Sequence, residues 1–314
     1  MNVQTQLRIL AAVDANAGVL TPETAALLGI SRTLLTRARN EGILDRPTRG
    51  VYVRPGNVVS LAAIDAARIG PPAVLSHRGA ASFYGWDGVQ PGAIEWSIPH
   101  TRHPAIAGVH LRRRFDDLDV VERDGLLVTS PAQTLADLGH VVETDIVERA
   151  IESALREGDI TDSALRAFAA PASHRPGAPT LRVALNRRPE GAPHTDSDAE
   201  TLCIQVYRHR GVRDPVRQYE IWDDDVFVAQ VDLHWWPIPF GVEVDGLASH
   251  ATPDALQYDL NRANRIGDAQ HLIRRFTYWD VVRRPAYVCR ETLRGLAITE
   301  ALFANSRRKR QIGR

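Results

Sequence analysis

Lysine is almost missing from this chain. Among 314 residues the only one is Lys309, in the tail sequence RRKRQIGR, so nearly every cation is arginine. A guanidinium stays protonated in proteins, so arginine can hold anions but cannot shuttle a proton as lysine can. Net charge is missing too, with Lys plus Arg and Asp plus Glu each numbering 38. That removes any global attraction to nucleic acid and leaves the argument to local charge. Only two cysteines occur, Cys203 and Cys289, far apart, with no CxxC and no histidine at metal spacing. A disulfide framework and a thiolate metal site are excluded, and the pair reads as reduced thiols of a cytoplasmic protein. No apolar run reaches membrane-spanning length, and MNVQTQLRIL lacks the layout of a signal peptide. The remainder, 44% hydrophobic and 24% charged, is an ordinary globular balance. The length implies two or three domains.

Residues 3–16 carry Leu7, Leu10, Ala11 and Ala15 at helical spacing, and Gly18 stops the run. Thr21-Pro22 opens a short helix ended by Gly29. Ser31 caps another, from Arg32 to about Asn40, and Gly42 closes it. Ile43-Leu44 and Val51-Tyr52-Val53 flank Arg49-Gly50 and read as a hairpin. This order predicts a winged helix-turn-helix over residues 1–56. On its second helix Leu34, Leu35 and Ala38 share the inner face, which leaves Arg32, Thr33, Thr36, Arg37 and Asn40 outside. Those are residue types that contact phosphates and base edges in a major groove. Arg49 and Arg54 are expected to add wing contacts to phosphates. The alternatives are a merely solvated face or a protein-interaction module.

Residues 57–170 read as a small α+β middle domain. Helices are expected over Val58–Ile69, after Ser76, after Ser130-Pro131 and over Thr144–Arg156. Strands are expected at Ile94–Ile98, Val109–Leu111 and Leu126–Thr129. His77, His100, His103 and His110 lack ligand spacing. The segments TPETAALLGISRTLLTRARNEGIL, RGVYVRPG, LSHRGAASFYGW and LVTSPAQTLADL together resemble AbiEi-family antitoxins and related transcriptional regulators. The resemblance covers about the first half. It implies DNA binding and, as in that family, autoregulation of a toxin–antitoxin operon with a toxin partner. Residues 171–196, rich in Pro, Ala, Gly and Arg, read as a linker.

The third domain is expected over 197–300, with a basic tail over 301–314. Ser197 with Glu200 fits a capping box on a first helix. Strands follow at Val216–Trp222, Val226–His234 and Phe240–Asp245, then a helix from Thr252-Pro253, a strand at Leu272–Phe276 and a helix from Pro285 to Leu296. Asp223-Asp224-Asp225 is read as a hairpin tip. Carboxylates are costly inside strands unless something binds them. Glu243 and Asp245, two apart, share a strand face, and an antiparallel return brings Asp232 to the same side. Such hard oxygen donors suit Mg²⁺ or Mn²⁺.

Glu200, Asp232, the run Glu243-Val244-Asp245-Gly246, His250, Asp259 and Arg262, with the strand Leu272–Thr277, resemble the very-short-patch-repair endonuclease-like branch of the PD-(D/E)XK nucleases. The resemblance implies a multidomain α/β chain ending in a restriction-endonuclease-like α-β-β-β-α-β core. It also implies metal-dependent phosphodiester hydrolysis on DNA. Asp232 and Glu243, with Asp245, would ligate the metal. Glu200 would orient water or support the metal ligands from behind, His250 would act as base or acid, and Arg262 would hold the phosphate. Asp245 stands where most of the superfamily places a lysine, so His250 and His234 are the remaining proton carriers. Two alternatives stay open: an ion pair between Asp259 and Arg262, and an ordinary loop role for His250. At the level of function the choice is between a DNA endonuclease and an antitoxin-like repressor whose nuclease-like domain is inactive.

Overall fold

The computed structural model describes residues 1–90, 94–102, 106, 108–113, 117–170, 175–245 and 253–312, the side chains of 255 and 305–312 excepted. His250 and Gly246 lie outside the described residues. By compactness the chain forms two units. One comprises Met1–Val142 with Phe168–Leu181, and the other Glu143–Ala167 with Arg182–Arg314.

The first unit begins with α1 (Val3–Asp14), α2 (Pro22–Leu27), α3 (Arg32–Asn40), β1 (Asp45–Thr48) and β2 (Val51–Val53). Local chemistry sets these boundaries. Asn2, Thr21 and Ser31 each accept a backbone N–H three residues on, at the N-termini of α1, α2 and α3. At the other end Gly29 and Gly42 take positive φ, and the Ile30 and Ile43 amides reach back to the Ala25 and Ala38 carbonyls. These are Schellman endings. Ile9, Val13, Leu20, Ala25, Ile30 and Leu35 close one buried core beneath them. Leu20 and Tyr52 exchange backbone hydrogen bonds and so fasten β2 to the segment before α2.

The hairpin starts later than the sequence suggests. Ile43 and Leu44 serve the end of α3, both donating to Ala38 O, and the strand begins at Asp45. After α4 (Leu61–Ile69) come β3 (Val74–Leu75), α5 (His77–Tyr84), β4 (Ile94–Ile98), β5 (Val109–Arg113), β6 (Val120–Arg123), β7 (Leu126–Thr129) and α6 (Pro131–Leu138). The five strands form one mixed sheet in the order β5-β4-β3-β7-β6.

The second unit contains α7 (Thr144–Arg156), the start of α8 (Asp162–Ala169) and the end of α9 (Ala178–Asn186), then α10 (Asp198–His209). Next come β8 (Val216–Asp223), β9 (Val226–His234), β10 (Phe240–Asp245), α11 (Pro253–Asp268), β11 (Leu272–Thr277), α12 (Tyr278–Arg283) and α13 (Pro285–Ile312). The sheet order is β11-β10-β9-β8, with β10 antiparallel to β9 and parallel to β11. One core, built on Cys203, Tyr207, Trp235 and Phe240, joins α10 and α13 to this sheet, and a smaller one, with Ile221, Val231 and Ile266, joins α11. The last helix does not stop near Leu296 but continues to Ile312 through the stretch expected to be a tail. No described helix is long and apolar enough to cross a membrane.

Candidate functional site

Two places gather the residues singled out from sequence. The first is the outer face of α3. Leu35 and Ala38 are buried and Leu34 half-buried, so Arg32, Thr33, Thr36, Arg37 and Asn40 all stand exposed on the opposite side. A hollow of about 540 Å³ opens there, lined by those five and Glu41. Arg37 Nε donates to Glu41 Oε1 at 2.7 Å, and Glu41 also accepts from the N-terminal amine at 2.7 Å. Arg32 lies 3.4 Å from Glu23, both well exposed, so solvent screens that pair. Arg49 sits exposed at the hairpin turn beside Gly50, whose φ of 80° fits the turn. Arg54, expected on the wing, is engaged elsewhere. Its Nε donates to Asp14 Oδ1 at 2.7 Å and its Nη2 to the other oxygen of the same carboxylate, a bidentate pair that fixes β2 to α1.

The second place is an acidic cluster in the C-terminal unit. The β9–β10 register pairs Gly241 with His234 and Val242 with Leu233, and its continuation puts Glu243 across from Asp232. Asp232 Oδ2 accepts the Val244 N–H at 2.8 Å. Burial pushes the Asp232 carboxyl up to about 7, and the charges of Glu200 and Glu243 add to the rise against that hydrogen bond. Glu200 is buried at the start of α10. It accepts from Ser197 Oγ at 2.8 Å, the Asp196 amide at 2.9 Å and Gln218 Nε2 at 2.9 Å. Burial still leaves its carboxyl above the ordinary range.

Two arginines meet the remaining acids. Arg262 Nη2 lies 2.5 Å from Glu243 Oε1 and also donates to Gln230 O at 2.5 Å. Arg275, directly beside Glu243 on β11, reaches Asp245 at 2.6 Å, Asp259 at 3.4 Å and Glu243 at 3.7 Å. Asp259 and Arg262 therefore do not form the helix ion pair left open from sequence; each has its own partner on the sheet. Arg275 was not given a role from sequence, because only the parallel β10–β11 register places it against Glu243.

Among the described residues no group of three or more His, Cys, Asp or Glu side chains is arranged to hold a metal ion. As they stand, Asp232, Glu243 and Asp245 do not fit a Mg²⁺ or Mn²⁺ ion, since Glu243 and Asp245 spend oxygens on Arg262 and Arg275. His234 is buried, stacked on Tyr219 with ring centroids 4.0 Å apart, and burial holds it down at about 4. It is therefore neutral near pH 7. Trp235 is a core residue whose Nε1 donates to Arg213 O at 2.8 Å, whereas Trp236 is 63% exposed.

Residues 8–55 match the family of transcriptional regulators described as AbiEi antitoxins. The matched stretch runs from within α1 through the hairpin, the part of the chain that carries the exposed face of α3. No curated protein matches. Among solved structures the chain is similar to the RV2827C protein from Mycobacterium tuberculosis, at 15% identity and a TM-score of 0.37, covering 72% of this chain and 90% of that one. The family match ends at residue 55, so the acidic cluster rests on its own geometry.

Proposed function

We propose that this chain is a DNA-binding transcriptional regulator of the antitoxin type, and that α1–α3 with the β1–β2 hairpin act as a winged helix-turn-helix. The observation that carries the reading is the face of α3, where arginine, threonine and asparagine side chains stand exposed over a fully apolar inner side. Those side chains pair with phosphate oxygens and base edges, and the match at residues 8–55 falls on the same segment. In this reading Arg32, Thr33, Thr36, Arg37 and Asn40 enter a major groove and Arg49 follows the backbone. A toxin encoded beside the chain is the expected protein partner. The test is a mobility shift with the duplex upstream of the chain's own coding region. Asn40→Ala is expected to weaken binding by about 1–3 kcal/mol and to relax sequence preference. A wild-type protein that binds neither this duplex nor any other sinks the proposal.

A second reading, phosphodiester hydrolysis in the C-terminal unit, requires Arg262 and Arg275 to release Glu243 and Asp245 to a Mg²⁺ or Mn²⁺ ion, and one observation supports it. Asp232 has no ion pair among the described residues and stays within the influence of Glu200 and Glu243. Glu200, Asp232, Glu243, Asp245, His250 and Arg262 would be the working residues. Plasmid and single-stranded DNA incubated with Mg²⁺, Mn²⁺ or EDTA decide it. Cleavage should require metal and disappear in Asp232→Asn and Glu243→Gln. Cleavage that persists in both variants, or none with any metal, removes the enzyme reading and leaves the regulator.

A further inference from the structure

The face of α3 has a neighbour that no comparison assigns. Between α3, the hairpin and α4 lies an open cleft of about 650 Å³ whose lining includes Arg32, Thr36, Arg46, Arg49 and Arg68, with Glu23 as the acidic member. Arg32 and Thr36 line this cleft and the hollow on the outer face alike, so α3 forms the ridge between them. The two hollows differ in chemistry. Both carry threonines, but the outer one adds Asn40, which can read base edges, and sets two arginines against Glu41, whereas the cleft sets four arginines against Glu23. In a chain with zero net charge this is a concentrated positive surface. Its geometry is also set by the fold. Arg46 lies with its guanidinium carbon 5.9 Å from the Tyr52 ring centre, and Arg68 Nη1 is 3.1 Å from Oδ1 of the buried Asp65. A guanidinium carries five N–H donors. One hydrogen bond to Asp65 therefore holds Arg68 in place and leaves donors for an anion.

We propose that this cleft is a second nucleic-acid contact, a seat for the phosphate backbone of the duplex whose groove receives α3, and that α4 contributes to it through Arg68. The inference rests on the DNA-binding reading and extends the footprint past residue 55 into the helix Leu61–Ile69. Contacts of this kind position a protein on DNA without reading sequence, so their loss lowers affinity evenly and reduces salt dependence.

Fluorescence anisotropy of the full chain tests this, with the upstream duplex and a random duplex of equal length, from 50 to 300 mM salt as an order-of-magnitude range. Arg46→Ala alters an exposed strand residue. Arg68→Gln keeps a donor for Asp65, so folding survives. Each variant is expected to weaken both duplexes by the same factor, on the order of five- to tenfold near 0.1 M salt, and to lower the log–log salt slope by about 0.9. Asn40→Ala should instead weaken the upstream duplex selectively and keep the wild-type slope. If the wild type binds and both arginine variants keep its slope and affinity, the cleft is overturned while the reading of α3 stands. If the wild type binds neither duplex, both fall.

Discussion

Asp232 is the residue whose titration most directly reports its surroundings. An unfolded aspartate titrates near 3.9, whereas burial and the nearby Glu200 charge carry this one to about 7. Between those values the folded chain retains a proton that the unfolded chain has released. Stability from this group is therefore full below about pH 4, falls as pH rises, and is lost above about pH 7. At about 1.4 kcal/mol per pKa unit the penalty reaches up to about 4 kcal/mol, shared with the coupled acids. Asp232→Asn can still accept the Val244 N–H, so it should remove this slope. Urea unfolding is expected to show the variant nearly equal to wild type at pH 4.5 and more stable, on the order of 2 kcal/mol, at pH 8. Parallel profiles across that range would refute the assignment.

Glu152 presents the opposite case, a buried acid fully committed to cations. Its oxygens meet Arg188 Nη1 at 2.8 and 2.9 Å, Arg217 Nη1, and the Thr195 amide at 3.2 Å, and both arginines are themselves buried. Removing one partner from such a group leaves uncompensated charge inside, which costs about 3–5 kcal/mol. Glu152→Ala should lose about that much in chemical denaturation. Arg265→Ala changes an exposed position and should lose almost nothing. A loss below about 1 kcal/mol in Glu152→Ala would mean the network is solvated.

For the elements, the signals that fixed boundaries were short-range ones. The N-terminal helices were legible because Thr21, Ser31, Gly29 and Gly42 carry cap chemistry that acts within a few residues. Ser31 Oγ accepts the Leu34 amide at 3.2 Å, so Ser31→Ala should cost about 1 kcal/mol. That lowers the melting temperature by about 3 °C in a unit of this size, and Ser31→Asn should restore it. If Ala and Asn melt alike, the hydroxyl is not acting as the cap. β3 was missed because two residues, Val74 and Leu75, cannot display alternation. α12 was missed although Thr277 and Asp280 form a full capping box, a signal present in the sequence at Thr-x-x-Asp spacing. In the acidic cluster the spacing of Glu243 and Asp245 was readable. The arginines opposite them were not, because Arg275 is set against Glu243 by a parallel register that crosses a whole helix.

Across the molecule, composition and compactness draw different boundaries. Proline and glycine place a linker at 171–196, yet Arg182 onward groups with the C-terminal unit, and so does α7, read from sequence as part of the middle domain. The reason is electrostatic as much as apolar. Glu148 of α7 takes Arg208 at 2.9 Å, Arg149 holds Asp198 at 2.6 and 2.7 Å, and Gln205 donates to the Asp145 carbonyl at 2.9 Å. With Glu152 on Arg217 as well, α7 supplies the counter-charges for α10 and β8. None of this is visible to a hydropathy pattern, which registers Glu148 and Glu152 as the polar face of a surface helix although both are 1% exposed. A fragment of residues 197–314 would keep the sheet but strip Arg208 and Arg217 of their α7 partners, so it should fail to unfold cooperatively. A fragment of residues 143–314 retains them and should melt as one transition, measured by circular dichroism and amide exchange. If the shorter fragment folds as stably as the longer one, α7 is an accessory of the C-terminal unit and compactness misplaces the boundary.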